Sequence, residues 1–143
     1  MPSERPLRSA LLSWWQAHGR HDIPWKRSAQ DVLPKPGEEL NPYPIWVAEV
    51  MLQQTQLQVV LPYWQRWMER FPTLQSLAAA DEQEVLLLWQ GLGYYSRARR
   101  LHQGAQLLVA REASVWPRDL QGWLALPGIG PSTAGSILSS AFD

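Results

Sequence analysis

The chain contains no cysteine. That excludes a disulfide framework, a thiolate zinc site and a cysteine-ligated iron–sulfur cluster built from these residues. Net charge is lacking as well: 13 basic residues balance 13 acidic ones, so the chain as a whole gives no electrostatic sign of a polyanionic partner. No apolar run approaches the ~18–20 residues of a membrane span. Glu4, Arg5 and Arg8 interrupt the only stretch that resembles a secretory signal. Sustained period-two alternation and internal repeats are also missing, so no segment reads as a strand or a solenoid. What remains is a globular composition, 45% hydrophobic and 18% charged, with length for one helical domain and its core. The expectation is a cytoplasmic monomer without metal.

Charge is unevenly placed. Residues 1–35 carry six basic and three acidic groups, residues 36–92 two and seven, and residues 93–143 five and three. Arg97, Arg99, Arg100 and His102 form a tight basic cluster, which reads alone as a solvated helix face. Helical periodicity dominates. Leu7, Leu11, Leu12, Trp14 and Trp15 form a first stripe ending near His18-Gly19. Pro34, Pro36, Gly37, Pro42 and Pro44 then predict a loop. A helix is expected from Ile45 to about Val60, with Pro44 in its first turn and Pro62 breaking the pattern. A second stripe runs from Leu61 to Phe71. Thr73 suits the cap of a short helix through Leu74 and Leu77. Asp81 with Glu84 has the form of a capping box. Longer and shorter helices follow at about 96–113 and 119–125, and a last one begins near Pro131. The fold class is all-α, with seven or eight helices. The nine tryptophans fall mainly on apolar stripes and are expected in the core.

Two segments carry chemistry. In Leu126-Pro-Gly-Ile-Gly-Pro-Ser-Thr-Ala-Gly135, two glycines permit a sharp reversal between helices, and Ile129 can plug the gap between them. The N–H groups of Gly128, Gly130 and the following first turn, through Ser132 and Thr133, then suit a phosphate oxygen. A plain helix–turn–helix corner explains the glycines equally well. In Asn41–Gln56, Glu49 is the only charge between Ile45 and Leu57. Burial favours the neutral form of a carboxyl, which can then deliver a proton near neutral pH. Placement near a helix start, where the dipole favours negative charge, is the competing account. Leu52 and Gln53 share the Glu49 face, and Gln53, Gln54, Thr55 and Gln56 offer groups that bond base edges.

These strings resemble known motifs. The first resembles the helix-hairpin-helix of DNA base-excision glycosylases, L-P-G-[VI]-G-x-x-T-A. The position of Ser132 is a lysine nucleophile in the endonuclease III branch; serine has no amine for a Schiff base, which points away from lyase chemistry. The second resembles the S-E-V-M-L-Q-Q-T-Q signature of adenine-DNA glycosylases (the MutY family), with Ala48 in place of serine. Gly91-Leu-Gly-Tyr-Tyr-Ser-Arg97 matches that family's G-L-G-Y-Y-x-R segment. The resemblance covers about Trp25 to Leu138.

It implies a helix-hairpin-helix glycosylase fold, mostly the six-helix barrel module. Residues 25–143 form the module, the hairpin lies near 119–141, and residues 1–24 are a lead-in helix. It implies base-excision repair, the hydrolysis of adenine from a mispair with 8-oxoguanine or guanine in double-stranded DNA, near the nucleoid in a bacterium. Glu49 would protonate adenine at N7. The base must leave the stack: Gln54 and Tyr94 would enter the duplex, with Thr55 and Leu92 against the orphaned partner. Trp25, Lys26 and Leu52 would line the adenine pocket, and Ser132 its edge. Of Tyr94 and Tyr95, one is expected in the core.

Three departures qualify this. The family's D-G-N aspartate has no match, and Asp143 lacks the Gly-Asn that should follow it. The four cysteines of the family's [4Fe–4S] cluster and its carboxy-terminal recognition domain are absent. The loop Ser28–Asn41 is longer than usual. The expectation is therefore a truncated form of low or no activity, with a non-catalytic DNA-binding remnant as the alternative.

Overall fold

The computed structural model describes Trp25, residues 40–111 and residues 116–142. Among these residues there are seven α-helices and no strand: α1 Pro42–Leu52, α2 Leu57–Arg70, α3 Leu74–Ala78, α4 Glu82–Trp89, α5 Tyr95–Ala110, α6 Leu120–Leu124 and α7 Pro131–Phe142. The expected stripe Leu7–Trp15, Lys26 and most of the long loop lie outside the described residues.

α1 is the axis of the fold. Asn41 caps it, its side chain accepting from the Tyr43 N–H at 3.1 Å, and Pro42 supplies a first-turn residue that needs no N–H partner. The helix thus begins ahead of the expected Ile45, with Pro44 still in the first turn. It is apolar on nearly every side, with Ile45, Trp46, Val47, Ala48, Val50 and Met51 all buried, as a helix surrounded by others must be. α2, α5 and α7 pack against it. Gly104 of α5 lets the helices meet: a Cβ there would come within 2.8 Å of Trp46 Cζ2.

The expected continuous helix from Ile45 to Val60 is in fact two. The polar run Gln53–Gln56 turns at the surface, Gln56 becomes an extended N-cap, and α2 starts at Leu57. Pro62 then lies inside α2 rather than breaking it. It forfeits one hydrogen bond, to the carbonyl of Gln58, which is exposed and open to water. The expected box at Asp81 and Glu84 also fails, since Asp81 makes no side-chain cap bond. The reciprocal box forms one helix earlier, where Thr73 and Ser76 satisfy each other's N–H groups at 3.0 Å each. Asp119 caps α6 by accepting from Gly122 N–H at 2.8 Å.

The described tryptophans are core, as expected: six are buried, and Trp116 is half-buried. Trp67 meets Phe71 and Trp89 edge-on at 5.3 and 5.8 Å. Trp46, Trp116 and Trp123 form a second cluster under the hairpin. Among the polar handles inside this core, the Trp46 indole N–H has no partner among the described residues, whereas those of Tyr43 and Trp67 do. The Tyr43 hydroxyl donates to the Phe71 carbonyl at 2.6 Å and accepts from Trp67 Nε1 at 3.2 Å. Its burial holds the phenol well above the usual tyrosine range, against the Trp67 bond that favours the ionised form.

Candidate nucleic-acid interface

Three segments converge: the end of α1, the loop before α5, and the turn between α6 and α7. Glu49 lies in the carboxy-terminal half of α1 and is half-buried. The helix dipole there disfavours negative charge, so the helix-start account of this carboxylate fails. Leu52, half-buried, packs against the core one turn on. Gln53 is exposed, and its amide spans two segments, donating to the Gly128 carbonyl at 3.3 Å and to Thr133 Oγ1 at 3.1 Å. Gln54 and Thr55 occupy the surface turn that follows, exposed and half-buried respectively.

The hairpin turns at Gly128, whose φ of 77° belongs to the left-handed region. A side chain there would also meet Arg100, with Cδ at 2.9 Å and Cβ at 3.1 Å. Ile129 is buried between the helices, while Gly128, Gly130 and Ser132 are exposed and Thr133 is half-buried. Gly130 opens α7 through its carbonyl, which accepts from Ala134 N–H at 2.9 Å. The first-turn N–H groups of Ser132 and Thr133 have no preceding helical carbonyl, and the positive end of α7 stands behind them. A shallow recess, with room for about one water, lies between hairpin and helices and is lined by Val50, Gln53, Arg97, Arg100, Leu101, Pro127 and Gly128.

The loop before α5 is conformationally unusual. Gly91 and Gly93 have φ of 102° and 78°, and Tyr94 has φ of 51°. A non-glycine residue held there costs about 1–3 kcal/mol unless its surroundings enforce it. Tyr94 nevertheless keeps its ring 67% exposed, and Tyr95 is 39% exposed. The expectation that one of this pair is core is thus corrected: the buried face of α5 begins at Arg97 and Ala98. Leu92 is buried. Trp25 is buried too, edge-on to Trp64 at 5.4 Å.

The basic cluster divides. Arg99 is exposed and faces Glu82 at 3.6 Å, a pairing that contributes little in water. Arg100 is exposed beside Gly128. Arg97 and His102 are buried. Arg97 donates to four carbonyls, those of Val50, Met51, Leu92 and Gly93, and burial holds its guanidinium below the usual arginine range. The solvated-face reading missed this residue. The signal was present, because Arg97, Leu101, Ala105 and Leu108 share one helical face.

An iron–sulfur cluster does not fit these residues. The chain has no cysteine, and no metal-binding group of His, Asp and Glu assembles among the described residues. No described helix is long and apolar enough to cross a membrane.

Residues 47–133 match the model of the HhH-GPD superfamily of base excision DNA repair proteins. The adenine DNA glycosylase of Mus musculus is 47% identical over 138 residues, which are 96% of this chain and 26% of that protein. The adenine DNA glycosylase of Homo sapiens is 47% identical over 95% of this chain and 24% of its own length. The chain thus spans about a quarter of these relatives. Its fold is also that of a non-covalent endonuclease III–DNA complex, with a TM-score of 0.67 at 22% identity over 96% of this chain and 59% of that one.

Proposed function

Since the chain belongs to the HhH-GPD superfamily of base excision DNA repair proteins, we propose that it forms the part of an adenine-DNA glycosylase that grips duplex DNA and carries the general acid. In this reading residues 25–143 are the glycosylase module, the hairpin is near 119–141, and residues 1–24 are its lead-in. The substrate is adenine opposite 8-oxoguanine or guanine.

The observation that carries this is the Gln53 bridge. By bonding both Gly128 and Thr133, it holds the turn that offers N–H groups to phosphate against the end of the helix that bears Glu49. A duplex seated on Gly130, Ser132 and Thr133 then runs past Glu49. These phosphate contacts set position without reading sequence. Tyr94, exposed on its left-handed turn, and Gln54 enter the stack, with Thr55 and Leu92 behind them, and the displaced adenine meets Trp25, Lys26, Leu52 and the edge at Ser132. Glu49 gives its proton to N7, the C–N bond breaks with its electron pair leaving on adenine, and water adds to C1′ of the sugar, its spare proton passing through solvent back to the Glu49 carboxylate. Ser132 offers no amine, so the product is an abasic site without strand cleavage.

A single-turnover assay on a duplex holding adenine opposite 8-oxoguanine tests this. Slow abasic product is expected from the wild type, since no residue of this chain matches the family's D-G-N aspartate. Glu49→Gln should lower the rate by ~10²–10⁴-fold, with duplex binding retained. Salt-sensitive binding without product would favour a non-catalytic DNA-binding role, and absence of both would sink the proposal.

A further inference from the structure

Arg97 is explained neither by phosphate contact nor by core packing. It is 6% exposed on the apolar face of α5. Nη1 donates to the Val50 carbonyl at 2.9 Å and to that of Met51 at 3.0 Å. Nη2 donates to the carbonyls of Leu92 and Gly93, each at 3.4 Å. The first pair belongs to the last turn of α1, immediately after Glu49. The Val50 carbonyl also accepts the capping Gln53 N–H at 3.3 Å, a cap that leaves it room for a second donor, and a cation at this end complements the negative pole of the helix. The second pair belongs to the loop that delivers Tyr94. The guanidinium carbon lies 5.2 Å from the Trp89 ring centre and 5.8 Å from that of Tyr94. Trp89 Nε1 donates to the same Gly93 carbonyl at 2.9 Å, and Arg97 N–H itself donates to the Tyr94 carbonyl at 2.9 Å.

We propose that Arg97 is a positioning residue that ties the acid-bearing end of α1 to the left-handed Tyr94 turn, so that carboxyl and phenol keep one separation while a base is out of the stack. The clamp rests on the reading of Glu49 and Tyr94 given above. A planar fork is needed because four carbonyls from two segments converge on one group. Lysine keeps the charge but carries its three donors on a single atom, which cannot span both pairs. The four acceptors offset most of the cost of a buried cation, since each supplies a dipole where water is excluded, while Nε stays buried without a hydrogen-bond partner among the described residues.

Wild type, Arg97→Lys and Arg97→Met are compared as full chains by amide hydrogen exchange, thermal melting, duplex affinity and single-turnover excision. Arg97→Lys should remain helical. Its exchange should rise about tenfold or more at both the 92–94 and 51–54 segments, while α3 and α6 stay at wild-type protection. Its excision rate should fall about tenfold or more, with duplex Kd within about threefold of wild type. A rise at one segment alone, or evenly over all helices, would overturn the clamp, as would a wild-type excision rate in Arg97→Lys. Should Arg97→Met fail to fold, the lysine variant carries the comparison. Absence of product from the wild type would count against the excision reading, and the exchange pattern would still decide the clamp.

Discussion

At the scale of single residues, this chain places polar groups where they must be satisfied by specific partners. The Tyr43 hydroxyl serves two of them, Phe71 and Trp67. Tyr43→Phe leaves the Phe71 carbonyl and the Trp67 indole N–H unpartnered in the core, and a stability loss of about 1–3 kcal/mol is expected in urea unfolding. The pH dependence follows from the raised pKa. The folded phenol stays protonated above the ordinary value of 10.0. Its contribution is therefore complete below that pH and declines as pH rises through it toward the higher folded value. Wild type should lose stability faster than Tyr43→Phe above about pH 10; parallel curves for the two proteins would refute the assignment. Tyr94 shows the opposite arrangement, an exposed ring on a strained backbone. Such strain persists only where the surroundings impose it, and Gly91, Gly93 and the Arg97 bonds do so here.

At the scale of elements, α1 and the α6–α7 hairpin answer to different rules. α1 is defined by burial on nearly every side and by a capping asparagine; the apolar run and a proline in the first turn were legible, whereas the cap at Asn41 was not. Its end was not legible. The helical pattern continues through Gln53–Gln56 in periodicity alone, but those side chains turn at the surface and α2 begins afresh. The hairpin was legible because its turn depends on local backbone conformation, with glycine at φ 77°. Gly128→Ala is expected to cost at least about 1 kcal/mol in stability and to weaken duplex binding, since the alanine is strained there and pushes on Arg100. Unchanged melting with unchanged duplex affinity would show that the turn tolerates a side chain and does not govern binding.

At the scale of the whole molecule, neutrality sets the expectation for DNA binding. The 13 basic groups are matched by 13 acidic ones. Of the basic groups described, Arg70 and Arg99 face Glu84 and Glu82, and Arg97 is buried. Binding should rest on a few backbone N–H contacts more than on a cationic surface. The log–log slope of duplex affinity against salt should then be shallow, no steeper than about −4, because each neutralised phosphate adds about −0.9. A markedly steeper slope in a fluorescence-anisotropy titration would place the duplex on a broader basic surface.

What the sequence by itself determined is what neighbouring residues decide: helical class, the Thr73 cap, the glycine turn, the apolar stripes and the motif strings around Glu49 and the hairpin. These depend on rotations and hydrogen bonds within a turn or two of chain. Tertiary structure alone decided that α1 stops at Leu52, that Tyr95 stays at the surface, that Gln53 joins α1 to the hairpin and that Arg97 leaves its basic cluster for the interior. Each depends on a group far away in the chain. Whether a cation is buried is decided by the carbonyls it meets there, and neither charge pattern nor periodicity names those partners. With no net charge and no cysteine in the chain, the proposed interface rests on backbone donors, and the buried guanidinium of Arg97 lies behind it.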